Sequence, residues 1–363
     1  MKLPLKPSLD WLLVFVPGAI LLDLLAPGRA TLVFLASALA VVPLAGWLGK
    51  ATEHLSEHTG EGVGGLLNAT FGNAAELILA LMALQKGLHD VVKASLTGSI
   101  IGNILLVLGA AFLAGGVKHK RQVFNAVGAR SQASMLTLAA IALIVPAAYH
   151  FLGGREALLH ETGLSLEIAL VLLVTYGLSL LFSLKTHRHL FTGSSAEAGR
   201  LQDGRGAHWS VGRSLVVLAL ATVLVGWMSE ILVGSVEQAA HSLGMSGVFV
   251  GIVVVAVIGN AAEHSTAVLA ARKDRMDLAI GIAVGSSIQI ALFVAPVLVL
   301  ASFLIGPSPM DLVFTLPEVL AVVLAAAIGA QVTGDGESNW LEGVQLLSVY
   351  VILSIVFYFL PGG

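Results

Sequence analysis

The chain has 363 residues, of which 57% are hydrophobic and only 11% charged. A soluble domain carries about 25% charged residues, so most of this surface has to face lipid. The absence of cysteine excludes a disulfide framework, a thiol nucleophile and a thiolate-held metal centre, and a net charge of −3 leaves no footprint for nucleic acid.

Apolar stretches of the length that crosses a bilayer, about 17 to 25 residues, predict eleven helices near 9–26, 30–49, 62–86, 91–115, 129–150, 165–184, 211–235, 246–271, 277–304, 312–332 and 342–360. The first follows Lys2 and Lys6 but holds Asp10 and Asp23 and lacks a small-residue cleavage site, so it reads as a retained helix. After the second, the run from Glu53 to Glu61 sets His54 and His58 among three Glu. It reads either as a mouth for divalent cations or, with more weight, as a solvated amphipathic turn. The polar, glycine-bearing stretch 185–210 reads as a flexible linker, in which His187, His189 and His208 are ordinary surface residues. The chain thus divides into an N-terminal helix in 1–28, a unit in 29–184, the linker 185–210 and a second unit in 211–363. Counted on alternate sides of the eleven spans, all Lys and Arg except Arg29, Lys86, Lys93 and Arg155 fall on one side. The positive-inside rule makes that side cytoplasmic, with the N-terminus inside and the C-terminus outside.

Two segments repeat. Gly72-Asn73-Ala74-Ala75-Glu76 recurs as Gly259-Asn260-Ala261-Ala262-Glu263, an offset of 187 positions, and Gly98-Ser99 recurs as Gly285-Ser286 in the same register. Five spans per half is an odd number, so the second copy is inserted upside down. Inverted repeats with glycine-interrupted helices place a substrate site near the midplane, at the repeat interface.

Glu76 and Glu263 fall near the centres of their spans, where an ionised carboxylate costs at least about 2.5 kcal/mol. No Lys or Arg lies at comparable depth. Protonation, a bound cation or a water-filled cavity remain as ways to keep such a group, and together they describe an ion-exchange cycle. Asn73 and Asn260 each precede a glutamate by three positions and share its helix face. Ser99, Asn103, Ser286, Ser287 and Gln289 offer further oxygens, as do carbonyls freed by glycine. Such a hard-oxygen set suits Ca²⁺, which takes about 6 to 8 oxygen ligands. Two protons or one divalent cation neutralise a carboxylate pair equally well. The bland readings are a permanently protonated structural pair for the glutamates and close packing for Gly62, Gly64 and Gly65. For His264 a proton relay or gate and a packing role weigh evenly. Glu230 and Glu318, nearer the outer ends, read as an exit path or as headgroup contacts.

The motif Gly72 to Glu76 with Gly98-Ser99-Ile100, and the run from Gly259 to His264 through Met276-Asp277-Leu278-Ala279-Ile280-Gly281 to Gly285-Ser286-Ser287-Ile288-Gln289-Ile290-Ala291-Leu292, resemble the calcium/proton exchangers (CAX) of the calcium/cation antiporter superfamily. The motifs lie at 72–103 and 259–292. The resemblance implies an all-α polytopic membrane protein with one N-terminal helix and two inverted five-helix repeats. It also implies a secondary active antiporter that exports Ca²⁺ from the cytoplasm in exchange for H⁺. Glu76 and Glu263 would bind the two ions alternately, with Asn73, Asn260, Ser286 and Gln289 in the site. No cofactor is implied beyond the transported ions. The expected setting is the lipid bilayer of a prokaryotic plasma membrane, with homo-oligomerisation left open. Two departures stand out. Position 102, opposite Gln289 in the repeat register, is glycine, so a backbone oxygen or water serves there. The linker holds only Glu197 and Asp203, unlike the acidic stretch of many eukaryotic members.

A Na⁺/Ca²⁺ exchanger or another divalent cation/H⁺ exchanger is the alternative within transport. The amides Asn103 and Gln289 favour protons as the coupling ion. An intramembrane protease is the alternative outside transport, but neither Gly-x-Ser-Gly nor Gly-x-Gly-Asp occurs, and the chain is expected not to be an enzyme. A passive channel fits inverted repeats with central acids less well than alternating access does.

Overall fold

A computed structural model describes residues 8–59, 61–187 and 209–360. The expectations for Lys2, Lys6, His189, Glu197, Asp203 and His208 lie outside the described residues. In chain order the helices are α1 (Phe15–Leu25), α2 (Ala30–Thr59), α3 (Glu61–Phe71), α4 (Ala74–Gln85), α5 (His89–Gly116), α6 (Ala126–Leu152), α7 (Glu161–Thr186), α8 (Val211–Ser242), α9 (Gly247–Gly259), α10 (Ala261–Arg272), α11 (Met276–Ser302), α12 (Leu316–Val332) and α13 (Trp340–Phe359). A 3₁₀ turn, Leu9–Val14, leads into α1, and two short strands, β1 (Gln122–Val123) and β2 (Glu337–Ser338), pair antiparallel.

Among the described residues, seven of these helices are long and apolar enough to cross a membrane: α2, α5, α6, α7, α8, α11 and α13. The pair α9–α10 qualifies together but bends by 61°, while α4 and α12 are apolar and shorter. The spans expected at 62–86 and 246–271 are therefore not single helices. Each is broken at a Gly-Asn step.

Other boundaries also move. α2 runs on to Thr59 instead of stopping near 49. Lys50 and Glu53 lower the hydropathy, but Ala51, Thr52, His54 and Leu55 stay buried and hold the helix together. The run 53–59 is thus helical rather than a turn, with Glu57, His58 and Thr59 exposed as a solvated amphipathic segment requires. Its His54 stacks on Trp209 at 4.8 Å, with the Arg213 guanidinium 4.4 Å from the same ring. α12 begins at Leu316 rather than 312. Met310, Leu312 and Phe314 supply the hydropathy that suggests a longer helix, yet they alternate inward from an extended strap. Thr315 and Glu318 then form a capping box that starts the helix. This also buries Glu318, which does not reach headgroups.

Polar contacts sort the connections onto two ends of the bundle. At one end Lys118 donates to the Arg272 carbonyl (2.9 Å), Arg121 pairs with Glu337, the Asn125 N–H donates to Asp277 (2.7 Å) and Arg130 donates to the Gly334 carbonyl (3.0 Å). The hydrogen bond and charge of Glu337 hold the Arg121 guanidinium above its usual pKa. At the other end Lys86 donates to the Glu230 carbonyl (3.2 Å) and Lys93 to Asp311 (2.6 Å).

The interior splits into two apolar clusters. The larger joins α4 to α7 with α9 to α13 and takes in Phe34 and Ala38 of α2 and Leu232, Val233, Val236, Ala239 and Ala240 of α8; the smaller joins α1, the rest of α2 and the first part of α8 and takes from α4 mainly its first turn, Ala74 and Ala75. Small residues line the seam. A Cβ built at Gly46 would meet the Ala262 Cβ at 3.7 Å, and one at Gly226 would meet Ile78 at 3.9 Å.

Candidate cation site

Both breaks follow from their own residues. At Gly72 a Cβ would stand 2.7 Å from the Asn68 carbonyl oxygen, so only glycine fits. Asn73 (φ −102°, ψ 28°) and Asn260 (φ −95°, ψ 5°) then leave helical geometry for the bridge region. Each is the N-cap of the next helix, a place asparagine favours, yet neither side chain caps it. Both reach across the molecule instead. The first-turn N–H groups of α4 and α10 are left toward the break, with Glu76 and Glu263 in those turns, where the helix dipole favours negative charge. On the other side of each break, the Asn68 carbonyl still accepts from the Gly72 N–H (2.8 Å) and the Ala256 carbonyl from the Asn260 N–H (3.2 Å).

The side chains of the two breaks pair crosswise. The Ser286 hydroxyl donates to Asn73 Oδ1 at 2.7 Å, and Asn260 Nδ2 donates to Ser99 Oγ at 3.0 Å. Since 73 and 260 match at the repeat offset, as do 99 and 286, each asparagine holds the other half's serine. The Ser287 hydroxyl approaches the carbonyl of Ile100, its own repeat counterpart, at 3.4 Å. The crossing therefore lies on a local two-fold relation.

The symmetry is broken at repeat positions 102 and 289, glycine in one half and glutamine in the other. Asn73 Nδ2 donates to Gln289 Oε1 and its Oδ1 accepts from Ser286, so both ends of that amide are engaged. Asn260, without such a partner, turns its Nδ2 also to the Ala256 carbonyl (2.9 Å). Its Oδ1 is buried with no hydrogen-bond partner among the described residues, and so is Glu263 Oε2. Ser286 also lies within hydrogen-bond reach of the Glu263 carboxylate. The Glu76 side chain rests on Gly259, where a Cβ would come 3.4 Å from its Cγ and 3.7 Å from its Oε1. From there it interacts electrostatically with Glu263.

The structure thus brings Glu76, Glu263, Asn73, Asn260, Ser99, Ser286 and Gln289 to one crossing. Asn103 is buried in the π-helical stretch Gly102–Val107 of α5, which packs on α10; its Nδ2 has no partner among the described residues. π-helical stretches often mark functional sites, and Ile290–Val294 of α11 forms another, directly after Gln289. His264 is half-buried beside Glu263, its N–H bonded to the Asn260 carbonyl at 2.9 Å. Among the described residues no cluster of three or more His, Asp and Glu side chains is poised for a metal. Any cation here relies on two carboxylates, amide and hydroxyl oxygens and carbonyls. Buried acceptors without donors are costly, and a cation or a proton relieves that cost.

Access differs on the two sides. α9 crosses α5 almost backbone to backbone: Gly98 lies against the backbone of Ile252, and a Cβ at Gly251 would come 2.7 Å from the Ala94 Cβ. α3 instead lies along α2, with Gly64 against the Ser56 backbone, and Gly285 meets no atom within 4 Å. Gly98 stands in the repeated motif, but its use as a crossing point depends on Gly251 and Ile252, which no motif marks.

The Sodium/calcium exchanger protein family model matches residues 29–185 and 213–359. A Ca(2+)/H(+) antiporter of Aphanothece halophytica is 46% identical over 362 residues, covering 96% of each chain. The Ca(2+)/H(+) antiporter ChaA of Bacillus subtilis is 43% identical over 332 residues, covering 91% of this chain and 93% of its own. The solved structure of native YfkE superimposes with a TM-score of 0.83 at 39% identity, covering 97% of this chain and 100% of the other.

Proposed function

The chain belongs to the sodium/calcium exchanger protein family, in its calcium/proton exchanger (CAX) branch; it exchanges Ca²⁺ for H⁺, and we propose that both ions compete for one site formed by Glu76 and Glu263. Asn73, Asn260, Ser99, Asn103, Ser286 and Gln289 serve that site with oxygens and hold its geometry. The observation that carries this reading is the pair of electrostatically coupled carboxylates beside two buried acceptors, Asn260 Oδ1 and Glu263 Oε2, that no donor among the described residues satisfies. Two protons or one Ca²⁺ neutralise the pair. The carrier changes its open side only when the pair is neutral, because moving bare charges through a closed, dry site is costly.

The architecture of this reading is one N-terminal helix and two inverted five-helix repeats, eleven crossings in all, with α3–α4 and α9–α10 each one broken span. The end that holds Lys118, Arg121 and Arg130 faces the cytoplasm of a prokaryotic cell, and Lys93 faces outward. Protons entering from outside then drive Ca²⁺ export.

The test is ⁴⁵Ca²⁺ uptake into inside-out vesicles under an inward-acidic pH gradient, comparing wild type with Glu76→Gln and Glu263→Gln. Uptake that needs the gradient, collapses with a protonophore and vanishes in either variant supports the site. Uptake that ignores pH but follows a Na⁺ gradient, or that survives in either variant, overturns it.

A further inference from the structure

The strap 303–315 joins α11 to α12, and about 187 positions earlier the strap 117–125 joins α5 to α6 at the opposite end. Each docks on the turn between the two site helices of the other half. Gln122 of the inner strap donates to the Ala271 carbonyl and to Asp274, both at 2.8 Å, at the α10–α11 turn. On the outer strap Gly306 (φ +100°) sits against the Leu84 carbonyl, where a Cβ would come 2.8 Å from the oxygen, and Pro307 covers Gly87, at the α4–α5 turn. Leu84 and Ala271 correspond at the repeat offset.

The outer strap is fixed on three sides. The Met310 N–H donates to Ser302 Oγ (2.8 Å) and the Leu312 N–H to Ser165 Oγ (2.9 Å). Lys93 of α5 donates to Asp311 Oδ1 (2.6 Å) and to the Val313 carbonyl (2.9 Å). The ion pair is partly buried, the lysine side chain being 12% exposed. It has no counterpart at the inner end, where positions 124 and 280 are Phe124 and Ile280. Ser99 lies six residues along α5 from Lys93, about 9 Å down the helix axis. Whatever fixes Lys93 along that axis also fixes the depth of the hydroxyl that Asn260 holds.

We infer that the Lys93–Asp311 pair is a positioning pair for the transport site, setting through α5 the register of Ser99 against Asn260 and hence the Ca²⁺ ligands of the second half. This rests on the site proposed above. Outer-sphere partners of metal ligands are commonly worth 10- to 100-fold in affinity. Asp90 and Glu318 also lie within electrostatic range of one another near Lys93, so a direct effect of charge at the outer mouth is the competing account. The two accounts differ in sign. Loss of register weakens binding whichever partner is changed, whereas a mouth charge acts oppositely when a cation or an anion is removed.

The experiment measures the KM for Ca²⁺ presented at the cytoplasmic face of inside-out vesicles, the end remote from Lys93. Lys93→Gln keeps a donor for the Val313 carbonyl, and Asp311→Asn keeps the acceptor for the Val313 N–H, so each removes chiefly the ion pair. Both should raise KM about tenfold, with turnover at saturating Ca²⁺ within about threefold, after normalising to monodisperse protein. Lys93→Arg and the exchanged pair Lys93→Asp/Asp311→Lys should recover most of the loss, and the exchanged pair carries the test if a single variant fails to fold. An unchanged KM in both single variants, or shifts of opposite sign, overturns the inference. Glu263→Gln is run alongside: if it transports, the site reading falls, and if it is inactive while KM stays put in the Lys93 and Asp311 variants, only the positioning role falls.

Discussion

The two broken helices carry the same pentapeptide and rest in different surroundings. Before its break, α9 lies on α5 in near backbone contact through Gly98 and Gly251. Before its break, α3 lies along α2, and Gly285, the counterpart of Gly98, faces no neighbour. One local sequence thus adopts two packings within one molecule. The difference teaches that the motif fixes the break and the ligands but leaves the angle of the leading segment free. That freedom is what a carrier needs if it is to open alternately to each side. In this structure α9 is packed tightly on α5, and no such close contact forms at Gly285.

The comparison is broken or sharpened most strongly at the two glycines. Gly98→Ala drives a methyl into the Ile252 backbone and should lower stability by about 3 kcal/mol or more, read as loss of monodisperse protein or a fall in Tm. Gly285→Ala should leave Tm unchanged in this state, yet slow transport about tenfold, because closing α3 onto α11 would demand the contact that Gly98 makes now. Wild-type transport by Gly285→Ala would show that the two packings do not interchange. Next come the asparagines. Asn260→Ala removes an open acceptor and should weaken Ca²⁺ binding about 10- to 100-fold. Asn73→Ala removes one already engaged by Ser286 and should act mainly by freeing Gln289 and Ser286, with a smaller loss; equal losses in equilibrium Ca²⁺ titrations would erase the distinction. Acidification should weaken Ca²⁺ binding in both, by up to about 100-fold per pH unit where two protons replace one Ca²⁺. The smallest effect belongs to Gly102→Ala. No atom lies within 4 Å of the added Cβ, so Tm should stay within the shift expected for about 0.5 kcal/mol.

Much of the site was legible because it is written locally. Duplicated Gly-Asn-Ala-Ala-Glu marks both breaks, and carboxylates in a hydrocarbon setting announce themselves through their cost. The crosswise pairing of Asn73 with Ser286 and Asn260 with Ser99 was not legible, since it depends on how two distant segments meet. Hydropathy misplaced the start of α12 because Met310, Leu312 and Phe314 count as apolar whether they face lipid or the interior of a strap. Their period-two spacing was the available signal. It likewise ended α2 too early at Lys50, where the membrane edge and the helix end are different things. Lys93 counted only as one of four exceptions to the charge asymmetry; its partner lies more than two hundred positions away.

The seam between the two apolar clusters has a mechanical consequence. Bulky side chains interlock like gear teeth, and sliding one helix past another must lift each tooth over the next. At Gly46 against Ala262 the teeth are filed down to a hydrogen and a methyl. Such a surface behaves as a bearing. Where α2 passes α10, the helix that carries Glu263, sliding meets little resistance, while Phe34 of α2 and Leu232, Val236 and Ala240 of α8 stay locked in the packed cluster.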